Sequence, residues 1–301
     1  MNNNESNGNL VTIRVWGDFA CFTRPEMKVE RVSYPLPTPS AARGIFEAIY
    51  REPQMYYVID SIRVVKKGRW FSFRRNEVSA VISINNAQSW MQGTKDVSYI
   101  EAGGGAKDAA QRNMLALADV EYLITAEVRI SRLHDASRFN IEKYHREIKE
   151  RAQKGKCFHR PAFGCREFAA DFDYEEDAEV AHARRVKEAH GCDSDPSHIW
   201  PEEDLGIMLY DVFDHNQRAF GFRWLNDQEM KSANEERDRE IAALPKREQK
   251  KARKNLLPLD RHDGCEIVPR AYFFQARVKD ARMDCHPDRV ELIRPAKEDV
   301  Q

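Results

Sequence analysis

The chain has 301 residues, 42% hydrophobic and 32% charged, enough for a folded core under a very polar surface, as one large domain or two modest ones. No apolar run reaches the roughly 18 residues of a spanning helix, and the polar start "MNNNESNGNL" lacks the apolar stretch of a secretory signal, so the expectation is a cytoplasmic protein without a membrane partner. The formal net charge of −1 argues against a polyanionic ligand only if the charges are evenly spread, and they are not.

"RVVKKGRWFSFRR" (63–75) carries six cations and no acid, and "KREQKKARK" (246–254) carries six against one glutamate. The balancing acids gather in "DFDYEEDAE" and "PEEDLG". Segregated charge of this kind steers a polyanion such as a nucleic acid. Six cysteines (21, 157, 165, 192, 265 and 285) form no CxxC pair and read as free thiols of a reducing compartment.

In chain order, "LVTIRVWGDFACF" (10–22) alternates well enough for a first strand with a break at Gly17. Thr38 is suited to cap a helix that has Pro39 at its first position. Ala41, Ala42, Ile45 and Ile49 share one face of that helix, and Pro53 stops it. "MYYVIDSIRVVKK" and "WFSFRRNEVSAVISI" read as second and third strands, and residues 85–113 with "GGG" at 103–105 as a loop or hairpin tip. That glycine run lacks the following Lys-Ser or Lys-Thr of a phosphate loop. "DVEYLITAEVRIS" (119–131) alternates most strongly, a charged helix follows from 141 to 154, and "AFGCREFAADF" is another strand. With the insertion removed, the order is strand–helix–strand twice, which predicts a ferredoxin-like, RRM-like α+β domain over residues 1–172. Residues 173–301 mix short strands with acidic, helix-biased inserts and predict a smaller antiparallel β domain.

Four stretches taken together resemble one family. "PTPSAARGIFEAIY" (37–50), "RRNEV" (74–78), "QRNMLALADVEYLITAEV" and "KGKCFHRPAFGCREFAADF" (154–172) occur in the order seen in the CRISPR-associated Cas-five family, in its catalytic type I-C form. The resemblance covers residues 10–172 well and the C-terminal half only through its final strands. It implies a RAMP-superfamily fold and a metal-independent endoribonuclease that cuts the repeat of precursor CRISPR RNA and retains the 5′ handle. It also implies a place beside the backbone and large subunits of the effector complex and, through the basic clusters, contact with duplex DNA. No cofactor is implied. A non-catalytic, handle-binding scaffold is the second reading, and a stand-alone nucleic-acid-binding protein the third.

Metal-free RNA cleavage needs a base for the 2′-OH, a cation for the phosphorane and an acid for the leaving 5′ oxygen. The resemblance assigns these roles to a tyrosine that ends the first helix, matched by Tyr50, and to a lysine–histidine pair, whose lysine is matched by Lys143. Here Tyr144 follows the lysine and the histidine comes one later, at His145, so Tyr144, His145 and His159 are all candidates for the third role. In a regular helix Lys143 and His145 point about 160° apart and cannot both reach one phosphate. The expectation is therefore that Lys143 precedes the first full turn, in the N-cap region, or that only one of the pair acts. Lysine and tyrosine ordinarily titrate near 10, which makes Lys143 a charged phosphorane stabiliser and a histidine the acid or base, with Tyr50 orienting the 2′-OH or, if ionised by nearby cations, taking its proton.

The RNA-binding candidates are Lys66, Lys67, Arg69, Trp70, Phe73, Arg74 and Arg75, where aromatic rings interleave with cations, joined by Arg43 and Arg160. Cys157, His159 and Cys165 are spaced poorly for zinc and lack a fourth ligand, so no metal site is expected. "KREQKKARK" reads as a solvated, helix-biased run.

Overall fold

The computed structural model describes residues 9–101, 103–132, 140–191, 195–212, 218–219, 223–224, 227–254, 262–263 and 271–293. Strand β1 (Leu10–Ala20) leads through the two-residue β2 (Arg31–Val32) into helix α1 (Pro39–Ile49). Strand β3 (Met55–Lys66) continues past a kink into β4 (Arg69–Val78), helix α2 (Ile84–Met91) lies at the hairpin tip, and β5 (Ala109–Ile130) returns as one 22-residue strand. Helix α3 (Ile141–Gln153), strand β6 (Asp171–Glu175), helices α4 (Ala178–His190) and α5 (Pro196–Ile199) and strand β7 (Glu202–Asp211) follow. A short pair, β8 (Arg223–Trp224) and β9 (His262–Asp263), stands apart from the main sheet, and helices occupy Asp227–Ala243 and Lys246–Lys254. Strands β10 (Tyr272–Lys279), β11 (Arg282–Asp284) and β12 (Leu292–Ile293) complete the chain.

Ten strands form one sheet ordered β12-β10-β11-β3-β5-β1-β6, with β2 and β4 paired to β5 and β7 paired to β10. The alternation read in the sequence sets the two faces. Ile13, Val15, Tyr122, Ile124 and Val64 join one core with Ile45, Phe46 and Ile49 of α1 and Tyr144, Ile148 and Ala152 of α3. On the other face, Val65 and Leu123 pack against Ala181 of α4. Two helices therefore cover one side of the sheet and α4 the other.

Several expectations need correction. β1 runs through Gly17 without a break, pairing with Val120, because the missing side chain admits the Ala169 carbonyl and the Phe163 ring; a Cβ there would stand 2.8 Å from that oxygen. The stretch 85–113 is not only loop, since Ser83 caps α2 by accepting from the Asn86 N–H at 3.1 Å. "AFGCREFAADF" is an irregular loop with a single Ala162–Ala169 bridge until Asp171 opens β6. Strand β6 spans residue 172, and β11 pairs with β3, so C-terminal strands extend the sheet that the N-terminal ones begin.

That irregular loop turns at Gly164, whose φ is +82° and whose position faces the Cys21 carbonyl so closely that a Cβ would collide with it. Gly164→Ala is expected to destabilise the protein by at least ~1–2 kcal/mol from left-handed strain alone, read as a lower urea midpoint with unchanged m. An unchanged midpoint would show that the loop is not held in this conformation.

Candidate active site

α1 begins as its sequence dictates: the Thr38 hydroxyl accepts from the Ala41 N–H at 3.1 Å and Pro39 fills the first helical position. The helix ends at Tyr50, which turns extended (φ −154°, ψ 131°) while its N–H still bonds the Phe46 carbonyl at 2.9 Å. Its own carbonyl accepts from the buried Tyr57 hydroxyl at 2.9 Å. Segment 157–160 docks onto this helix end through Phe158 and His159, whose N–H groups donate to the Ala48 carbonyl at 2.8 and 3.1 Å. Phe158 thereby stacks on Tyr50, ring centroids 6.2 Å apart and planes at 24°.

α3 supplies the other wall. Asn140 caps it by accepting from the Lys143 N–H at 3.1 Å, so Lys143 is the third residue of the first turn and not a residue ahead of it. The expected N-cap placement is thus corrected: the strong cap at Asn140 fixes the start of the helix three residues earlier. Lys143, Glu147 and Arg151 then follow one another at four-residue spacing along one stripe. The Arg151 guanidinium lies 4.4 Å from the Phe158 ring centroid and 5.4 Å from that of Tyr50, inside the reach of a cation–π contact. Its Nε stands 3.9 Å from Glu147.

Tyr50 is 2% exposed. Burial pushes its hydroxyl well above the usual tyrosine range, reinforced by Glu52, Glu147 and Tyr144 and opposed by Arg151. It therefore stays protonated at neutral pH, a donor and not a base. Tyr144 is core, packed with Ile148 and Ala152, and burial likewise raises its hydroxyl. His145 points away from the Lys143 stripe, as helical geometry requires, toward the backbone of Asn9 ahead of β1. Burial lowers its imidazole, and its buried Nε2 has no hydrogen-bond partner among the described residues. The fold thus brings Tyr50, Arg151 of the Lys143 stripe and the exposed His159 to one end of α1, and turns His145 toward Asn9. Arg151 and Phe158 were missed in the sequence. The signal for Arg151 was present, two turns along the face of Lys143, whereas that for Phe158 was not, because its contact depends on a loop docking against a remote helix.

The expected RNA-facing cations divide. Arg43 is buried: Nε and Nη2 donate to the Asp211 carboxylate at 2.8 and 3.1 Å and Nη1 to Glu47 at 2.7 Å. Arg75, with a side chain 16% exposed, pairs with Glu77 and with Glu167. Arg160 is exposed beside Asp171 at 2.8 Å. Arg69 and Arg74 are exposed on β4, Trp70 and Phe71 expose 51% and 41% of their surface, and Phe73 packs inward on Phe168. Lys66 and Lys67 border a cleft at the β3–β4 kink.

Fold and site together define an α+β protein with a large antiparallel sheet, a cluster of titratable side chains at one helix end and a cation- and aromatic-bearing strand projecting from the sheet. The chain belongs to the CRISPR-associated protein (Cas_Cas5) family, whose model matches residues 10–256. A relative from Mannheimia succiniciproducens, a CRISPR pre-crRNA endoribonuclease Cas5d, is 40% identical over 220 residues, covering 71% of this chain and 90% of its own. The protein of the same name from Thermus thermophilus is 41% identical over 160 residues, 53% of this chain and 62% of that one. A crystal structure of the functionally uncharacterized protein SMU1763c from Streptococcus mutans superposes with a TM-score of 0.48 at 17% identity, covering 94% of this chain and 95% of the other. Among the described residues no helix is long and apolar enough to cross a membrane.

Proposed function

We propose that this chain is a metal-independent endoribonuclease of CRISPR defence that cuts the repeat of precursor CRISPR RNA and then holds the 5′ handle within a type I-C effector complex, beside its backbone and large subunits. Membership in the family and the shared name of two relatives near 40% identity support the activity. The observation that carries the assignment to this site is the Arg151 guanidinium of α3 lying 5.4 Å from the Tyr50 ring at the end of α1, two turns along the helix face that Lys143 opens.

In this reading the RNA 2′-OH attacks the adjacent phosphorus, giving a 2′,3′-cyclic phosphate and a free 5′-OH. His159, the imidazole nearest the Tyr50 end of α1, takes the 2′-OH proton. Lys143 and Arg151 offset the phosphorane charge, and Tyr50, kept protonated by burial, donates to the leaving 5′ oxygen. The antiparallel order β6-β1-β5-β3, with α1 and α3 on one face, supports the ferredoxin-like, RAMP-type reading of residues 1–172, with 173–301 as its β extension. Single-stranded repeat RNA contacts the exposed part of β4, and the same cations offer a weaker site for duplex DNA.

Labelled repeat RNA incubated with the protein in EDTA is expected to give one specific cut with a cyclic phosphate end. Tight binding with no cut would replace the enzyme with a handle-gripping scaffold, and cutting that ignores the repeat sequence would remove the CRISPR assignment.

A further inference from the structure

On the face of the sheet opposite α1 and α3, α4 and α5 meet the base of the long hairpin around a cavity of about 560 Å³. The cavity sits at the break between β3 and β4, where Gly68 (φ +76°) and Asp119 (φ 55°) bend the two paired strands. Its charged lining is Lys66, Lys67 and Arg69 against Asp119 alone, with His190 and His198 completing the wall. Two of the cations are held in place. Lys66 pairs with Asp119 at 3.0 Å, and Lys67 sits 3.7 Å from the centre of the buried Trp200 ring and 3.6 Å from Glu203. Arg69 is exposed and has no ion-pair partner among the described residues.

A cavity of this size takes a nucleotide-sized ligand, and this lining favours an anion. It also opens at the root of β4, where the exposed Trp70 and Phe71 begin. A basic pocket continuous with aromatic rings is what a single strand of nucleic acid needs, one gripping its phosphates and the other stacking its bases. We propose that this cavity binds a phosphodiester of single-stranded RNA and retains the strand without taking part in its cleavage. The assignment rests on the RNA-binding reading above for its ligand. Because α4 and α3 lie on opposite sides of the sheet, one strand held here and cut beside Tyr50 must pass around the base of the hairpin.

The full chain is titrated by fluorescence anisotropy with labelled repeat RNA over a series of salt concentrations. Arg69→Ala and Arg69→Glu are compared with Lys28→Ala, which changes net charge at an exposed site elsewhere on the surface. Arg69 is exposed, so melting temperatures matching the parent are expected. Arg69→Ala should lower the salt slope by about one and weaken binding roughly tenfold for any single-stranded sequence, and Arg69→Glu should weaken it further. Equal affinity and slope for Arg69→Ala and Lys28→Ala would overturn the proposal. So would a loss of duplex DNA affinity with RNA affinity intact, or saturation of the cavity by a free mononucleotide that does not compete with RNA. Because the readout is binding, it stands even if the chain cuts nothing, whereas failure of the cleavage assay alone leaves the pocket result intact.

Discussion

Replacing Lys143 with alanine is expected to abolish cleavage of repeat RNA while weakening RNA binding only modestly. Lys143 stands in the first turn of α3, on one stripe with Glu147 and Arg151, and in the proposed mechanism its cation offsets the charge that develops on the phosphorane. Loss of a group that acts mainly on the transition state removes on the order of 10²–10³ in rate, about 3–4 kcal/mol, with little change in affinity. Single-turnover kinetics with saturating enzyme separate the two effects. Cutting at the parental rate would move the catalytic role to Arg151 or away from this helix end. His145→Ala supplies the contrast: its side chain faces Asn9 and not Tyr50, so cleavage should survive where Lys143→Ala eliminates it.

Arg43→Ala is expected to be the most destabilising single change in the protein. Arg43 lies at the centre of a buried cluster, bidentate to Asp211 and bonded to Glu47, which in turn accepts from Arg218 at 2.7 Å. Removing one partner of a buried ion pair leaves an uncompensated charge and costs about 3–5 kcal/mol, a drop in melting temperature on the order of 10 °C. Burial alone would push the Glu47 carboxyl up, but Arg43, Arg218 and Arg51 outweigh it and hold the group at about 2 against an ordinary 4.5. Its folded value being the lower one, the stability it contributes is complete above about pH 4.5 and drains away as the pH falls toward 2. The parent should therefore lose stability through that window and Arg43→Ala should lose less. A variant that melts within a degree of the parent at pH 7 would refute this account. The cluster also ties α1, and hence Tyr50, to the end of β7, so cleavage should fall along with stability.

The separation of exposed and buried cations shows which information is local. The Thr38–Pro39 start of α1 and the span of α3 were legible because caps and 3.6-residue periodicity act within a few residues. The opposition of Lys143 and His145 followed from the same geometry, and the structure agrees with it. Even the Ser83 cap of α2 was present in the sequence but hidden within a polar stretch that read as loop.

Arg43 was assigned to RNA because nothing nearby marked it as buried; its partner Asp211 lies 168 residues away. For the same reason β11 joining β3, α4 covering the second face and Phe158 stacking on Tyr50 could not be read from periodicity. The sequence by itself determined the elements, their amphipathic faces and the family resemblance, since each depends on short-range spacing or on motif order. Only the tertiary structure decided which charges are paired inside and which face a ligand, because a charge is buried only when distant chain segments bring it a partner.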